Sequence, residues 1–252
     1  LRHNGLKEGE AFQAVLPNSI EMIIFFLAAG RGGFKFAPCS EDATDKEIIT
    51  YNKITNSKVV IFSSENNLNN IFSKKINKVE IELDCDFKWL LNVTSHTFEI
   101  VRDGNLYIMT SGTTGTPKAI VLSFNKLWAS TISFNKNYKD INSESIFWNY
   151  LPMSYLGGLY NLALIPISAG AKILISDSFD TSTSFKFWLT VKKYKINILW
   201  LVPSLARVLL KLSKRNSKNE NICFGKQIKI ALLGTAPISL HEKINFERTF
   251  GI

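Results

Sequence analysis

A run of glycine, serine and threonine that ends in a lysine follows a short apolar stretch near the middle of the chain. The apolar stretch is 106–109 (LYIM), and the run from Thr110 to Lys118 reads TSGTTGTPK. Glycine lets the backbone approach an anion closely and turn its N–H groups toward it. Hydroxyl groups add donors, and the lysine adds a compact positive charge. The pattern predicts a phosphate-binding loop after a strand; the alternative is an ordinary polar turn.

The spacing differs from that of the common nucleotide loop, in which G-x-x-x-x-G-K-[ST] opens a helix. In this chain Pro117 precedes Lys118, and Ala119 rather than Ser or Thr follows it. The next residues, 119–122 (AIVL), are apolar and partly β-branched, which favours a strand. We therefore predict a phosphate loop between two strands, which closes over a nucleotide like a flap and uses no helix dipole.

This loop resembles the signature loop of the adenylate-forming superfamily, which includes acyl-CoA synthetases, peptide-synthetase adenylation domains and luciferases. Other segments resemble the family in the same order. They are 8–38 (opening strand, helix and turn), 151–159 (LPMSYLGGL), 196–210 (INILWLVPSLARVLL) and 232–239 (LLGTAPIS). The resemblance covers nearly the whole chain and implies the α/β fold of the family's large N-terminal domain.

The resemblance implies that the loop binds the triphosphate of ATP and that Lys118 and Thr114 take part in catalysis. The residues assigned to the phosphates are Thr110, Ser111, Gly112, Thr113, Thr114, Gly115, Thr116 and Lys118.

Two further segments receive roles from the resemblance. The turn of Gly234, Thr235, Ala236 and Pro237 would line the adenine, although the family usually has a second glycine where Thr235 stands. The alternative is a plain strand-to-helix turn with Ser239 as N-cap.

The acid is expected beside Tyr155, which stands where many acyl-CoA synthetases carry a histidine or another aromatic residue. Gly157 and Gly158 would admit the acyl chain; helix packing is the alternative explanation for them. The segment lacks the aspartate with which amino-acid-activating members hold an ammonium group. This difference favours a simple acyl or aryl acid.

The implied reaction is ATP-dependent activation of a carboxylic acid to an acyl-adenylate, followed by thioester formation with CoA or a carrier-protein thiol. Such a ligase would use ATP and Mg²⁺, and its acids could include those of fatty acid metabolism. The family's Mg²⁺-binding glutamate and its C-terminal lid domain would lie beyond Ile252. We therefore expect a truncated N-terminal portion that is inactive alone, either as a fragment or as a shortened relative. The alternative is a non-catalytic nucleotide-binding or basic interaction module.

The composition limits which partners, which cellular compartment and which membrane segments we expect. The chain has 252 residues, 46% of them hydrophobic, and a net charge of +9. The excess charge is mostly lysine within Asn- and Ser-rich segments, whereas arginine, the usual base reader, is sparse, so we expect no nucleic acid partner. Cys39, Cys85 and Cys223 fit neither a disulfide framework nor a metal site, which favours a reducing cytoplasm. No apolar run reaches the length of a transmembrane helix, and oligomeric state is not indicated.

Strand and helix patterns alternate along the chain, which predicts mainly parallel sheets flanked by helices. We expect a first subdomain over about residues 1–100 and a second, with the phosphate loop and acyl pocket, over about 101–252. Predicted strands are 11–16, 59–62, 79–83, 106–110, 119–123, 146–150, 172–176, 198–201 and 228–233. Predicted helices are 19–29, 44–57, 126–133, 156–167, 184–194, 204–212 and one after Ser239. Because ligands gather beyond the carboxyl ends of parallel strands, the loop, Tyr155 and the Gly234 turn should share one crevice.

Overall fold

The computed structural model describes residues 1–64, 68, 71–72, 76–83, 103–110, 117–215, 224 and 226–252. These residues form two compact units. The first contains Leu1–Ser130 and Pro152–Leu159, and the second contains Thr131–Leu151 and Tyr160–Ile252.

The first unit is built on a six-stranded sheet with the strand order β4-β3-β1-β2-β5-β6. Its strands are β1 (Ala11–Val15), β2 (Lys35–Cys39), β3 (Ser57–Ser63), β4 (Asn77–Ile81), β5 (Asn105–Thr110) and β6 (Lys118–Ser123). Its helices are a short 3₁₀ turn (Arg2–Asn4), α1 (Ile20–Gly32), α2 (Asp45–Thr55) and the first part of α3 (Phe124–Asn137). All neighbouring strands run parallel except β5 and β6, which are antiparallel.

The second unit contains a four-stranded parallel sheet with the order β10-β9-β7-β8. Its strands are β7 (Ile146–Asn149), β8 (Lys172–Ile175), β9 (Ile198–Leu201) and β10 (Ile230–Leu233). The helices that follow β7 are a π-helix (Gly157–Leu164), α4 (Ile165–Ser168), α5 (Thr181–Lys193), α6 (Pro203–Arg215) and α7 (Leu240–Phe250). The predicted α/β class with mainly parallel sheets is therefore confirmed.

The helix starts follow from local side-chain chemistry. Thr44 and Glu47 form a capping box at α2, in which each side chain accepts a hydrogen bond from the other residue's backbone N–H. Ser239 and Glu242 form the same arrangement at α7. Both boxes satisfy N–H groups that the first helical turn leaves without partners. The predicted helix starts at these two positions are confirmed.

Strand β2 was not predicted, because the resemblance assigned the end of segment 8–38 to a turn; proline is also uncommon in a central strand. The structure shows why proline is tolerated there. Lys35 N donates to Glu10 O and Leu16 N donates to Cys39 O, so the odd-numbered residues of β2 bond to β1. Pro38 therefore faces β5, whose pairing with β2 covers only Lys35 and Phe36. Its missing N–H is the next donor that this ladder would need, so the pairing of β2 with β5 stops at the proline.

The division between the units differs from the expected one. We expected the second subdomain to start near residue 101, yet the strands on both sides of the phosphate loop belong to the first unit. The reason is that β5 pairs with β2 and β6 pairs with β5, which ties both strands to the first sheet. The first unit consequently extends to Ser130.

The start of β5 is fixed by close packing against α1. A Cβ atom on Gly104 would lie 2.1 Å from the carbonyl oxygen of Ala29. Asn105 N donates to Phe34 O at 2.9 Å, and Phe124 N donates to Gly104 O at 2.9 Å. The ring of Phe124 in turn packs on Phe26 with centroids 5.1 Å apart. Only glycine fits at position 104, and the fit sets the position of β5.

We predict that Gly104→Ala destabilises the protein by about 2 kcal/mol or more, because the new methyl group meets rigid backbone. The measurement is chemical or thermal unfolding. Gly234→Ala is the matched control, since the nearest heavy atom to its added methyl is Trp200 Nε1 at 4.0 Å. Equal stability losses in the two variants would contradict the packing argument.

Candidate nucleotide and acyl site

The predicted phosphate loop connects two strands that pair up to its ends. The antiparallel ladder between β5 and β6 runs from Asn105 opposite Ser123 to Thr110 opposite Lys118. The Thr110 hydroxyl also donates to the carbonyl oxygen of Lys118 at 3.3 Å. The returning strand predicted from the apolar residues after Lys118 is confirmed. The two ends of the loop are therefore clamped together.

The described residues include only part of the predicted phosphate site. Thr110 is half-buried and Lys118 is exposed, so the lysine can reach an anion in solvent. The remaining predicted residues lie outside the described part of the chain, and their roles stay predictions. They are Ser111, Gly112, Thr113, Thr114, Gly115 and Thr116.

A cavity of about 190 Å³ lies in the first unit, next to the base of this hairpin. Met109, the residue before Thr110, lines it together with Tyr155. The rest of the lining comes from the end of β2, from the loop after it, from α2 and from Ser154. These residues are Pro38, Cys39, Ser40, Asp42, Ala43, Glu47, Tyr51 and Ser154. The cavity thus lies beyond the carboxyl ends of two parallel strands, where ligand sites of α/β sheets are found.

Tyr155 reaches this cavity because the segment 152–159 returns to the first unit. Met153 is buried, and its backbone N–H donates to Asn18 Oδ1 at 2.8 Å. Tyr155 N donates to Pro152 O at 3.2 Å, which closes a tight turn. The Tyr155 side chain is 50% exposed, so its phenol is open to a ligand.

Burial controls the ionisation of two groups that line the cavity. It raises the pKa of the Cys39 thiol to about 12; a hydrogen bond with Gln13 opposes this rise, and the nearby Glu47 carboxylate adds to it. Burial also raises the pKa of Tyr51, with smaller contributions from Tyr155 and Glu47. Cys39 therefore stays protonated at neutral pH and is a poor nucleophile.

Gly157 and Gly158 are the first two residues of the π-helix Gly157–Leu164. The predicted helix at 156–167 is confirmed, with a wider first part than an α-helix. Such widened turns are rare and are found frequently at functional sites. The proposed contact of these glycines with an acyl chain stays a prediction.

The predicted adenine turn follows β10, as expected. Gly234 N donates to Leu201 O at 3.1 Å, which holds the start of the turn beside the end of β9. Thr235, Ala236 and Pro237 are exposed, and α7 begins after the Ser239 cap. Thr235 has a φ of 74°, in the left-handed region that favours glycine and is unusual for a β-branched residue. This strain occurs at the position where the resemblance to the adenylate-forming family predicts a glycine.

The structure brings some of the predicted residues together. Tyr155 lines the cavity that adjoins the base of the hairpin, and both lie in the first unit. The Gly234–Pro237 turn belongs to the second unit, so its approach to the hairpin stays a prediction.

The described residues contain neither a cluster of metal ligands nor a helix that could span a membrane. Within the described ranges, no group of three or more His, Cys, Asp or Glu residues could hold a metal ion. None of the helices in that part of the chain has the length and apolar character needed to cross a bilayer.

Sequence reasoning missed most of the cavity lining, including Ser40, Asp42 and Tyr51. These residues follow strand β2, which was not predicted. Without that strand, nothing in the sequence placed them at the edge of a sheet. The alternation of bonding partners along β2 is visible only in the structure, so the local sequence carried no signal for this strand. A proline is compatible with the end of a strand, where the hydrogen bonds to the neighbouring strand stop.

The fold and these features define an α/β protein with a glycine- and threonine-rich hairpin loop at a sheet edge. The profile of the family described as "AMP-binding enzyme" matches residues 1–252. The chain belongs to this family.

Individual relatives agree with the family. The chain is 30% identical over 221 residues to an oxalate–CoA ligase of Arabidopsis thaliana, covering 82% of this chain and 42% of the relative. It is 26% identical to 4-coumarate:CoA ligase 1 of Petunia hybrida, covering 82% of this chain and 40% of the relative. The chain thus spans less than half the length of these relatives.

Solved structures show the same fold. ATP-bound MatB of Rhodopseudomonas palustris superposes with a TM-score of 0.79 at 19% identity, covering all of this chain (100%) and 50% of the other. VinN superposes with a TM-score of 0.75 at 18% identity, covering 100% of this chain and 62% of the other.

We predict that Thr235→Gly stabilises the protein by about 1 kcal/mol, because glycine adopts a positive φ without the steric cost that a β-branched residue has there. Thermal unfolding measures the change. Thr235→Ala is the control and should gain less, since alanine keeps the Cβ that causes the clash. A loss of stability in the glycine variant would show that the backbone at this turn is not strained.

We predict that iodoacetamide alkylates Cys39 about a hundredfold more slowly in the folded protein than in the unfolded protein at pH 8. Burial holds its pKa near 12, so very little thiolate is present. The raised pKa means that protonated Cys39 favours the folded state below the unfolded pKa and that this contribution is lost as pH rises toward 12. Mass spectrometry of a Cys85→Ser/Cys223→Ser variant isolates the signal. Equal rates with and without urea would refute the assignment.

Proposed function

We propose that the protein containing these residues activates a carboxylic acid with ATP to form an acyl-adenylate. The acyl group then passes to a thiol of CoA or of a carrier protein. Membership of the AMP-binding enzyme family is the observation that carries this proposal. The names of the relatives support it, since they include an oxalate–CoA ligase, 4-coumarate–CoA ligases and an acetyl-coenzyme A synthetase.

The chemistry needs little acid–base machinery. A carboxylate oxygen attacks the α-phosphorus of ATP, a new P–O bond forms, and pyrophosphate leaves with the electron pair of the broken P–O bond. The thiol then attacks the acyl carbon, loses its proton, and displaces AMP. What the protein must supply is alignment and positive charge where negative charge accumulates.

The hairpin suits the first step. Its clamped ends hold a short glycine- and hydroxyl-rich loop, and exposed Lys118 stands directly beside one end. We assign Thr110 to Thr116 and Lys118 to the β- and γ-phosphates, with Lys118 and Thr114 stabilising the developing charge. An ATP-bound solved structure of the same fold supports the use of ATP. We propose Mg²⁺ as the ion that accompanies the triphosphate, and none of the roles given to this chain's residues depends on it.

The cavity beside the hairpin suits the acid. We assign Tyr155 to the acyl carboxylate or acyl-adenylate, since its phenol is open to solvent and lies near the base of the phosphate loop. Gly157 and Gly158 come two and three positions after it and would leave room for the acyl chain. We assign Gly234, Thr235, Ala236 and Pro237 to the adenine ring, against which small residues and bare backbone can lie flat. A simple acyl or aryl acid fits this set, and a cytoplasmic location fits the use of ATP.

We predict that Lys118→Ala lowers the rate of acid-dependent pyrophosphate exchange by about 10²-fold in the protein of natural length, similar to the loss of one preorganised donor. Lys126→Ala is the matched control, because Lys126 is an exposed lysine on the neighbouring helix α3. The control should retain full activity. An unchanged exchange rate in Lys118→Ala would remove this lysine from the phosphate site.

An ATP-induced rise in melting temperature provides a second measurement that does not require turnover. Nucleotide binding without pyrophosphate exchange with any acid would favour a non-catalytic nucleotide-binding protein. The absence of both responses would contradict the proposal as a whole.

A further inference from the structure

Helix α5 of the second unit has large apolar side chains on its outward face as well as on its inward face. Phe187 and Val191 point into the core and are fully buried. Phe185 and Leu189, four positions apart, are 65% and 69% exposed, and Tyr194 directly after the helix is 45% exposed. Residues four apart on a helix are neighbours on its surface, so Phe185 and Leu189 form one apolar patch.

Lysines surround this patch. Lys186 follows Phe185, and Lys192 and Lys193 lie one turn beyond Leu189; all three are exposed. Lys193 also lies over the Tyr194 ring, 5.0 Å from its centroid. We call Phe185, Lys186, Leu189, Lys192 and Lys193 the α5 face.

The sequence around the α5 face carries one sign of charge. From Thr181 to Asn219 the chain contains no aspartate or glutamate. Helix α6, on which α5 packs, adds exposed Lys211. Among the described residues, none of the lysines of the α5 face forms an ion pair.

We propose that the α5 face docks on a membrane surface that contains anionic lipid. Phe185 and Leu189 would enter the boundary between headgroups and acyl chains, and the lysines would contact lipid phosphates and carboxylates. The inference is independent of the proposed ligase activity.

The shape of the face favours lipid over a protein partner. It consists of a few side chains on a single helix, whereas a specific protein interface buries about 800 Å² on each partner and involves about 20 residues. Lipid headgroups rearrange around a few inserted side chains and need no complementary surface. Nucleic acid would use the lysines but would leave the two apolar side chains in water.

Vesicle flotation with the protein of natural length tests the proposal. The probes are phosphatidylcholine vesicles with and without phosphatidylserine. We expect binding to the vesicles with phosphatidylserine, at least about tenfold weaker binding without it, and release at high salt. Failure to bind the anionic vesicles would overturn the proposal, as would retention on DNA in place of vesicles.

Two variants of the face should weaken partitioning by about tenfold or more. Phe185→Ser/Leu189→Ser removes the inserted groups, and Lys192→Gln/Lys193→Gln removes two charges. Leu240→Ser is the apolar control, since Leu240 is 70% exposed on α7. Lys136→Gln/Lys139→Gln is the charge control, at exposed positions near the end of α3. Equal binding by face variants and controls would overturn the proposal, and melting temperatures verify that every variant folds.

Discussion

The close approach of Gly104 to the carbonyl of Ala29 is the constraint on which the candidate site depends. It places the residue before β5 against α1, and the β2–β5 pairing then fixes the direction of the strand. The antiparallel pairing of β5 with β6 then fixes the positions of Thr110 and Lys118, where the phosphate loop begins and ends. A shift of one residue in β5 would move every side chain of the hairpin to the opposite face. The chemistry of the loop therefore depends on a contact about one strand length away.

Features that depend on neighbouring residues could be predicted from the sequence. The capping boxes at Thr44 and Ser239 need only residues three positions apart, and the returning strand β6 follows from its own apolar run. Strand β2 could not be predicted in this way. Its partner β5 lies about seventy positions later in the chain, and only that pairing shows that Pro38 stands at the last paired turn of the ladder, where a missing N–H is tolerated.

The cavity could not be predicted from local sequence either, because its lining residues lie even farther apart in the chain. Its lining combines residues after β2 with Tyr155, which is held there by the bond between Met153 and Asn18. No local pattern indicates that the segment 152–159 leaves the second unit and packs on the first. The resemblance to related sequences identified Tyr155, but it did not indicate Tyr51 or Cys39 as its neighbours. The strained φ of Thr235 was visible in the sequence only as a departure from an expected glycine.

Burial in the core explains the inward-facing residues of helix α5 but not the outward-facing ones. The inward residues are constrained by the core, where Phe187 packs on Trp148 with ring centroids 5.2 Å apart. The outward residues have no such constraint, and a soluble helix normally carries charged or polar side chains there. A phenylalanine and a leucine at these positions add nothing to the core. Their exposure to water is unfavourable, and the lysines around them offset part of that effect by keeping the surface charged. An interaction with a surface that is both apolar and anionic explains both kinds of residue at once.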